Sequence, residues 1–259
     1  MGMKQAAILT VFLMTAFLLL LTAVGAEEKI IVAINDTPPW KMMVNGKPEG
    51  IDIAITDKLV SRLGMEPVYV MMPFKRCLRS LKNGKADLMG FLAYNKERTH
   101  FLKYLHPPYQ GDVKIFYVRK GEAFRLKSYE DLHHLRVGLM RGHKHFDPFD
   151  NDTEIVKEEV DNQQSNYEKL ILGRIDAVIE NDTQGPYKTF QFGVSDKVEI
   201  APYAVPLGKN GFFALSRQSP HLERLAEFET VLKQMVESGE IDAIIKSHMS
   251  NYAPRGIVQ

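Results

Sequence analysis

Leu81-Lys82-Asn83-Gly84-Lys85-Ala86-Asp87-Leu88 decides how this chain folds, because the pattern returns 89 residues later as Leu170-Ile171-Leu172-Gly173-Arg174-Ile175-Asp176-Ala177. In each block a helix ends at glycine, a basic residue follows, and aspartate enters an apolar run with the character of a buried strand. The separation is too wide for a solenoid repeat. It fits two similar α/β lobes, each with one such helix-to-strand step. In open α/β sheets a ligand sits beyond the carboxyl ends of the strands. Gly90 to Arg98 in one lobe and Glu180 to Asp182 in the other are therefore the first places to look for a site.

Outward from these blocks, strand and helix patterns keep alternating. Lys29 to Ile34 is an apolar run of strand length, followed by Ile55, Leu59, Val60 and Leu63 on one helical face, with Asp52 as N-cap and Gly64 as stop. Val68-Tyr69-Val70 predicts a strand, Pro73 opens a helix, and Val113 to Val118 and Arg136 to Met140 predict two more strands. Ser128 with Asp131 has the spacing of a capping box. Leu222, Leu225, Val231, Leu232, Met235 and Val236 mark a long amphipathic helix. Strands alternating with helices in this way imply an α/β protein with mainly parallel sheets covered on both faces.

The first 26 residues differ from the rest. Lys4 is the only charge before Glu27, Ala6 to Leu21 is apolar apart from Thr10 and Thr15, and Val24-Gly25-Ala26 supplies small residues for cleavage after Ala26. This is the pattern of a secretory signal peptide; an uncleaved anchor over Ala6 to Ala26 is the competing reading. Lys plus Arg number 33 against 32 for Asp plus Glu, a balance that argues against nucleic acid as the main partner. The one cysteine, Cys77, excludes a disulfide framework, and its stripe with Phe74, Leu78 and Leu81 marks it for burial. No Gly-x-Ser-x-Gly elbow, P-loop or His-Glu-x-x-His helix occurs, and no cofactor is expected.

Pro38-Pro39-Trp40, Gly46-Lys47-Pro48-Glu49-Gly50-Ile51-Asp52-Ile53-Ala54, Gly84-Lys85-Ala86-Asp87, Asn95-Lys96-Glu97-Arg98 and Pro107-Pro108-Tyr109 occur in an order that resembles the family 3 extracellular solute-binding proteins. Val137-Gly138-Leu139, Gly173-Arg174-Ile175-Asp176 and the Gly211 to Leu215 strand extend the resemblance over nearly all of the chain beyond residue 26. That family comprises periplasmic receptors that deliver polar amino acids to ABC transporters. The resemblance implies a two-lobed periplasmic binding protein fold (type II), two mainly parallel sheets joined by two hinge strands that cross near Gln110-Gly111-Asp112 and Gly208-Lys209-Asn210. The expected division is a signal peptide over 1–26, a first lobe over 27–111, a second lobe over 112–210 and a return to the first over 211–259. A periplasmic monomer that binds a small solute and engages an ABC transporter permease is the implied partner set.

The resemblance also assigns site residues. Arg98 matches the arginine that clamps the ligand's α-carboxylate, a task suited to the planar guanidinium fork. Trp40 stands where the family places an aromatic on the first cleft loop, with Asp36 and Thr37 just before it. Phe91 follows the first repeated strand, and Arg76 offers a second cation near a helix start. The chain departs from the family at three places. Ala93 replaces a carboxylate-binding Ser or Thr, Arg141-Gly142-His143-Lys144 replaces Gly followed by Ser or Thr, and Asn181 replaces the aspartate that holds the α-amino group, with Asp182 beside it. A longer, basic side chain at Arg141 or His143 could reach an additional anionic group, and either Asn181 or Asp182 could face the ligand. His133-His134 and His143-Lys144-His145, with Asp147 nearby, suggest a metal only weakly because Lys144 would repel it; solvated loop histidines are expected.

Two other functions remain open on this scaffold. One is an enzyme resembling periplasmic cyclohexadienyl dehydratases, with Glu180 as general acid. The other is a ligand-sensing partner of a signalling receptor.

Overall fold

The computed structural model describes residues 28–252, so the signal peptide expected over 1–26 and its cleavage after Ala26 lie outside the described residues. Two parallel arrays form the framework. In the first, β1 (Glu28–Ile34) lies between β4 (Met65–Met71) and β5 (Leu88–Ala93). In the second, β8 (Arg136–Met140) lies between β9 (Val156–Val160) and β10 (Ala177–Asn181). The strands β7 (Gln110–Arg119) and β11 (Val198–Ser216) join them, running antiparallel to each other and to their outer neighbours β10 and β5. The whole is one curled mixed sheet in the order β4-β1-β5-β11-β7-β10-β8-β9, with β6 (Leu102–Tyr104) pairing the end of β11. A small hairpin of β2 (Met42–Val44) and β3 (Lys47–Glu49) stands apart. Because β11 is 19 residues long, its start belongs to the second array and its end to the first.

Alternation along the strands fills both faces of each array. In β1, Ile30, Val32 and Ile34 join a core with helix α1 (Ile51–Ser61) and the C-terminal helices α5 (Leu225–Glu237) and α6 (Glu240–Met249). Ala33 points the other way, into a core with Cys77 and Leu81 of α2 (Phe74–Lys82). Cys77 is fully buried, as its stripe predicts, and burial pushes its thiol upward. In the second half, Val178 packs with Tyr167 and Leu170 of α3 (Gln163–Ile171), while Ala177 and Ile179 face Phe116, Leu132 and Phe149. Beyond the amphipathic pattern at 222–236, which forms a 3-10 turn over Pro220–Arg224 and then α5, the chain breaks at Ser238-Gly239 before α6.

The repeated blocks do the same structural work in each half. Gly84 (φ +66°) and Gly173 (φ +70°) both take the left-handed conformation that ends the helix. Asp87 then bonds Ile31 twice: its N–H donates to the Ile31 carbonyl, and its carboxylate accepts from the Ile31 N–H, both at 2.8 Å. Asp176 repeats this with Arg136 at 2.9 and 3.0 Å. Each aspartate therefore pins the central strand of its own array, β1 at its middle and β8 at its start.

Asp176 carries a further load. Burial pushes its carboxyl up, but hydrogen bonds from the Arg136 side chain and backbone and the charge of Arg125 outweigh that and set its pKa at about 2. Its unfolded value is about 3.9, so this group stabilises the fold fully above that pH and loses its contribution as pH falls toward 2, an effect of about 2 kcal/mol. Asp176→Asn is therefore expected to lower stability at neutral pH and to flatten the loss between pH 4 and 2 in chemical denaturation. Parallel losses in variant and parent across that window would contradict this assignment.

Asp52 is a correction to the expected capping pattern. The helix begins at Ile51 behind Gly50, without a side-chain cap bond, and Asp52 is fully buried. Ser128 and Asp131 behave more nearly as expected: the Asp131 carboxylate accepts from the Lys127 and Ser128 N–H groups ahead of a short 3-10 helix.

Candidate functional site

Phe91 and Asn181 stand near the ends of β5 and β10, and a contact through Trp40 joins the two halves beside them. Trp40 is buried, stacks on Phe91 with ring centroids 4.5 Å apart and 13° between planes, and donates from Nε1 to Thr183 Oγ1 at 3.2 Å. Thr183 lies just past β10, so a loop of the first half meets the end of a strand of the second. Trp40 and Phe91 are thus brought together. Sequence alone does not reveal Thr183, since nothing local distinguishes it from any threonine after a strand.

A buried charge pair lies behind this aromatic wall. Lys41 Nζ is 3.7 Å from Asp52 Oδ2, and both side chains are 1% exposed. Burial lowers the Lys41 pKa and raises that of Asp52, each opposed by the charge of the other. Tyr109 donates its hydroxyl proton to Asp52 and accepts from the Phe91 N–H at 2.6 Å, while Lys41 donates to the Gly90 carbonyl at 3.0 Å. Both polar groups flanking the start of Phe91 are therefore held from behind. This holds Phe91 at φ +52°, a conformation that a bulky side chain rarely adopts. Gly90 must be glycine for the same reason: a Cβ there would sit 2.6 Å from the Asp52 carboxylate and 2.7 Å from the Phe213 ring.

Arg98 lies on a 3-10 helix (Lys96–His100) whose N-cap, Asn95, accepts from the Arg98 N–H. Its guanidinium sits over the Phe74 ring at 5.3 Å and donates to the Ala93 carbonyl at 3.3 Å. Among the described residues it has no carboxylate partner in ion-pair range. Ala93 thus contributes its backbone to Arg98, although its own side chain has no hydroxyl. Arg76 is exposed on α2. Asp36 is exposed and near enough to Tyr187 of the second half to raise its phenol, after the larger effect of burial; Thr37 accepts from Asn35 at 2.6 Å within its own loop.

In the second half the residues divide. Arg141 turns to Glu159 at 2.9 Å and Asp161 at 2.8 Å, so its guanidinium is engaged at the exposed end of β9. His143, Lys144 and His145 instead rim a polar cavity of about 80 Å³ that also includes Lys114, Glu180 and Asn181. The expectation of solvated loop histidines fails at His145: both ring nitrogens are buried without a hydrogen-bond partner, and burial followed by the charge of Lys114 lowers its pKa to about 4. His133 pairs with Asp152 at 2.9 Å. Asn181 Oδ1 accepts from Lys114 Nζ at 2.5 Å. Asp182 is half-buried beside β7, with its N–H donating to the Val113 carbonyl and Oδ1 buried without a partner; burial raises its carboxyl. Glu180 is 5% exposed, held by Lys188 at 3.0 Å and by Gln163, and burial raises its carboxyl against the pull of Lys188.

Comparison with known proteins covers most of the chain. A family model described as bacterial extracellular solute-binding proteins, family 3, matches residues 30–251. The Probable amino-acid-binding protein YxeM of Bacillus subtilis (strain 168) is 24% identical over 187 residues, spanning 67% of this chain and 70% of that protein. Among solved structures, substrate binding domain 2 of Lactococcus lactis GlnP in open conformation superposes with a TM-score of 0.70 at 19% identity, covering 87% of this chain and 97% of that one. An ancestral cationic amino acid solute binding protein superposes at 0.65 and 22% identity, covering 85% and 95%. The two-lobed fold with its linking strands is the fold of these structures.

Proposed function

This chain belongs to the bacterial extracellular solute-binding proteins, family 3, and from that premise we propose that it captures a small carboxylate-bearing solute, an amino acid or a relative of one, for an ABC transporter. The observation that carries the reading is Arg98: a guanidinium with an aromatic ring beneath it, a backbone carbonyl to aim it and no carboxylate partner among the described residues. A ligand carboxylate completes that fork with paired, charge-assisted hydrogen bonds. Trp40 and Phe91 form the wall against which the rest of the solute packs, and Asn181 or Asp182 meets it from the second half. Closure bends the strands where Gly111 and Lys209 pair, near the crossings between halves at 110–112 and 208–210. In this reading the protein works as a periplasmic monomer after loss of residues 1–26.

Glu180, the proton donor that a dehydratase-like reading requires, is already held by Lys188 and Gln163. That supports capture over catalysis.

The chain has one tryptophan, so intrinsic fluorescence reports on the contact between Trp40 and Thr183 without labelling. Adding amino acids and small carboxylates to ligand-stripped protein is expected to give a saturable change in emission with one compound class. Thr183→Val is expected to alter the starting emission and the amplitude, because it removes the one polar partner of the indole among the described residues. Emission that stays flat with every compound, in a folded sample, would count against solute capture between the halves.

A further inference from the structure

The polar cavity of the second half has more positive charge than its own residues neutralise. Pairing of β7 with β10 places Lys114 opposite Asn181. Lys114 is 8% exposed, and among the described residues the one hydrogen-bond partner of its ammonium is the neutral Asn181 oxygen at 2.5 Å. Among the described residues no carboxylate comes within ion-pair range of it, although Asp112, Glu180 and Asp150 are near enough to favour its charge against the larger effect of burial. The cavity's one carboxylate, Glu180, is taken by Lys188. With Lys144 on the rim, three lysines face one glutamate. A buried ammonium with only a neutral acceptor is costly unless a counter-charge reaches it. His145 adds two buried ring nitrogens without partners, which makes it a ready hydrogen-bonding group at the same cavity.

An ammonium group suits this place poorly. It would meet Lys114, and the acceptors that could receive it, Asn181 Oδ1 and the Glu180 carboxylate, are already engaged by Lys114 and by Lys188 and Gln163. A carboxylate suits it well: it would pair with Lys114 and accept from a neutral His145 N–H. The volume of about 80 Å³ exceeds the roughly 10–15 Å³ that one water needs on this kind of measure, so a carboxylate group can be accommodated. We propose that the solute carries a second carboxylate, received by Lys114 and His145 in the second half, so that the ligand is a dicarboxylate held at one end by Arg98 and at the other by this cavity. The proposal rests on the reading of Arg98 as the first anchor. The shared chemistry could come from an acidic amino acid or from a plain dicarboxylic acid.

Calorimetric titration of protein refolded free of ligand tests this with L-glutamate, L-aspartate, succinate and glutarate against L-glutamine, L-alanine and L-arginine. L-Glutamate and L-glutamine differ mainly in charge at one end, and glutamate is expected to bind at least tenfold more tightly. Binding of succinate or glutarate as well identifies a plain dicarboxylate site; binding of the amino acids alone identifies an acidic amino acid. Lys114→Met is expected to weaken glutamate and bring the glutamate-to-glutamine ratio near one. Asn181→Asp, which supplies Lys114 with a carboxylate from within, is expected to do the same and guards against a misfolded Lys114 variant. Glutamine, alanine or arginine binding as tightly as the dicarboxylates would overturn the proposal while leaving solute capture intact. An unchanged ratio in both variants would also overturn it. No binding by any compound would overturn this proposal and the capture function together.

Discussion

Asp52→Ala is expected to destabilise the protein by about 3–5 kcal/mol, the cost of stranding one member of a buried ion pair. Lys41 would be left 1% exposed, with the Gly90 carbonyl as its remaining partner. The hydroxyl of Tyr109 would lose its acceptor in the same step. For a chain of this size such a loss lowers the unfolding midpoint by roughly 10 °C. Lys41→Met should cost a similar amount, since it leaves the Asp52 carboxylate buried with Tyr109 alone. The pair Lys41→Met and Asp52→Leu together should cost much less than the sum of the single variants, because a buried pair can often be replaced by apolar groups of similar volume. Additive losses would show that the two side chains are not coupled as their placement implies. The network also touches function, because it holds both polar groups of the Gly90–Phe91 peptide and so sets the wall on which Trp40 stacks.

Arg98→Ala is expected to weaken binding of the carboxylate solute by at least about 30-fold while leaving the unfolding midpoint of the free protein nearly unchanged. The two halves of that expectation have separate causes. Within the protein, Arg98 makes one side-chain hydrogen bond to a carbonyl and lies over an aromatic ring at partial exposure, so its removal breaks no buried pair. In the complex it faces a charge with which it is desolvated, and truncating one member of such a pair costs about 2–5 kcal/mol. Lys in its place should recover only part of the affinity, since a point charge lacks the fork. Equal losses of stability and affinity would indicate a structural arginine instead of an anchor.

The two-lobed fold was legible because its evidence is local and repeated. Gly84 and Gly173 end helices, and Asp87 and Asp176 pin strands, through interactions spelled out within eight residues of sequence. The aromatic wall was half legible: Trp40 and Phe91 each stand out, but their stacking joins residues 51 positions apart. The charged residues behind it were not legible. A lysine after a Pro-Pro-Trp turn reads as solvated, and an aspartate at a helix start reads as a cap; only the tertiary fold makes Lys41 and Asp52 partners. The same holds for Lys114, which lies among alternating strand residues and gains its meaning from Asn181 across the sheet. His145 differs from His143, two residues before it, only through the side chains that bury it. Arg141, a candidate from its position, is instead turned outward by two acidic residues on and after β9 that no local pattern links to it.

Thermal unfolding of ligand-stripped protein against amino acids and small dicarboxylates shows whether a carboxylate solute binds the native state. At 100 times its dissociation constant a native-state ligand adds about 2.7 kcal/mol, which should raise the midpoint by roughly 5–10 °C at this chain length. A rise confined to carboxylate-bearing solutes and absent in folded Arg98→Ala is the predicted result. A midpoint unmoved by every carboxylate, or a rise that survives the loss of Arg98, would contradict it.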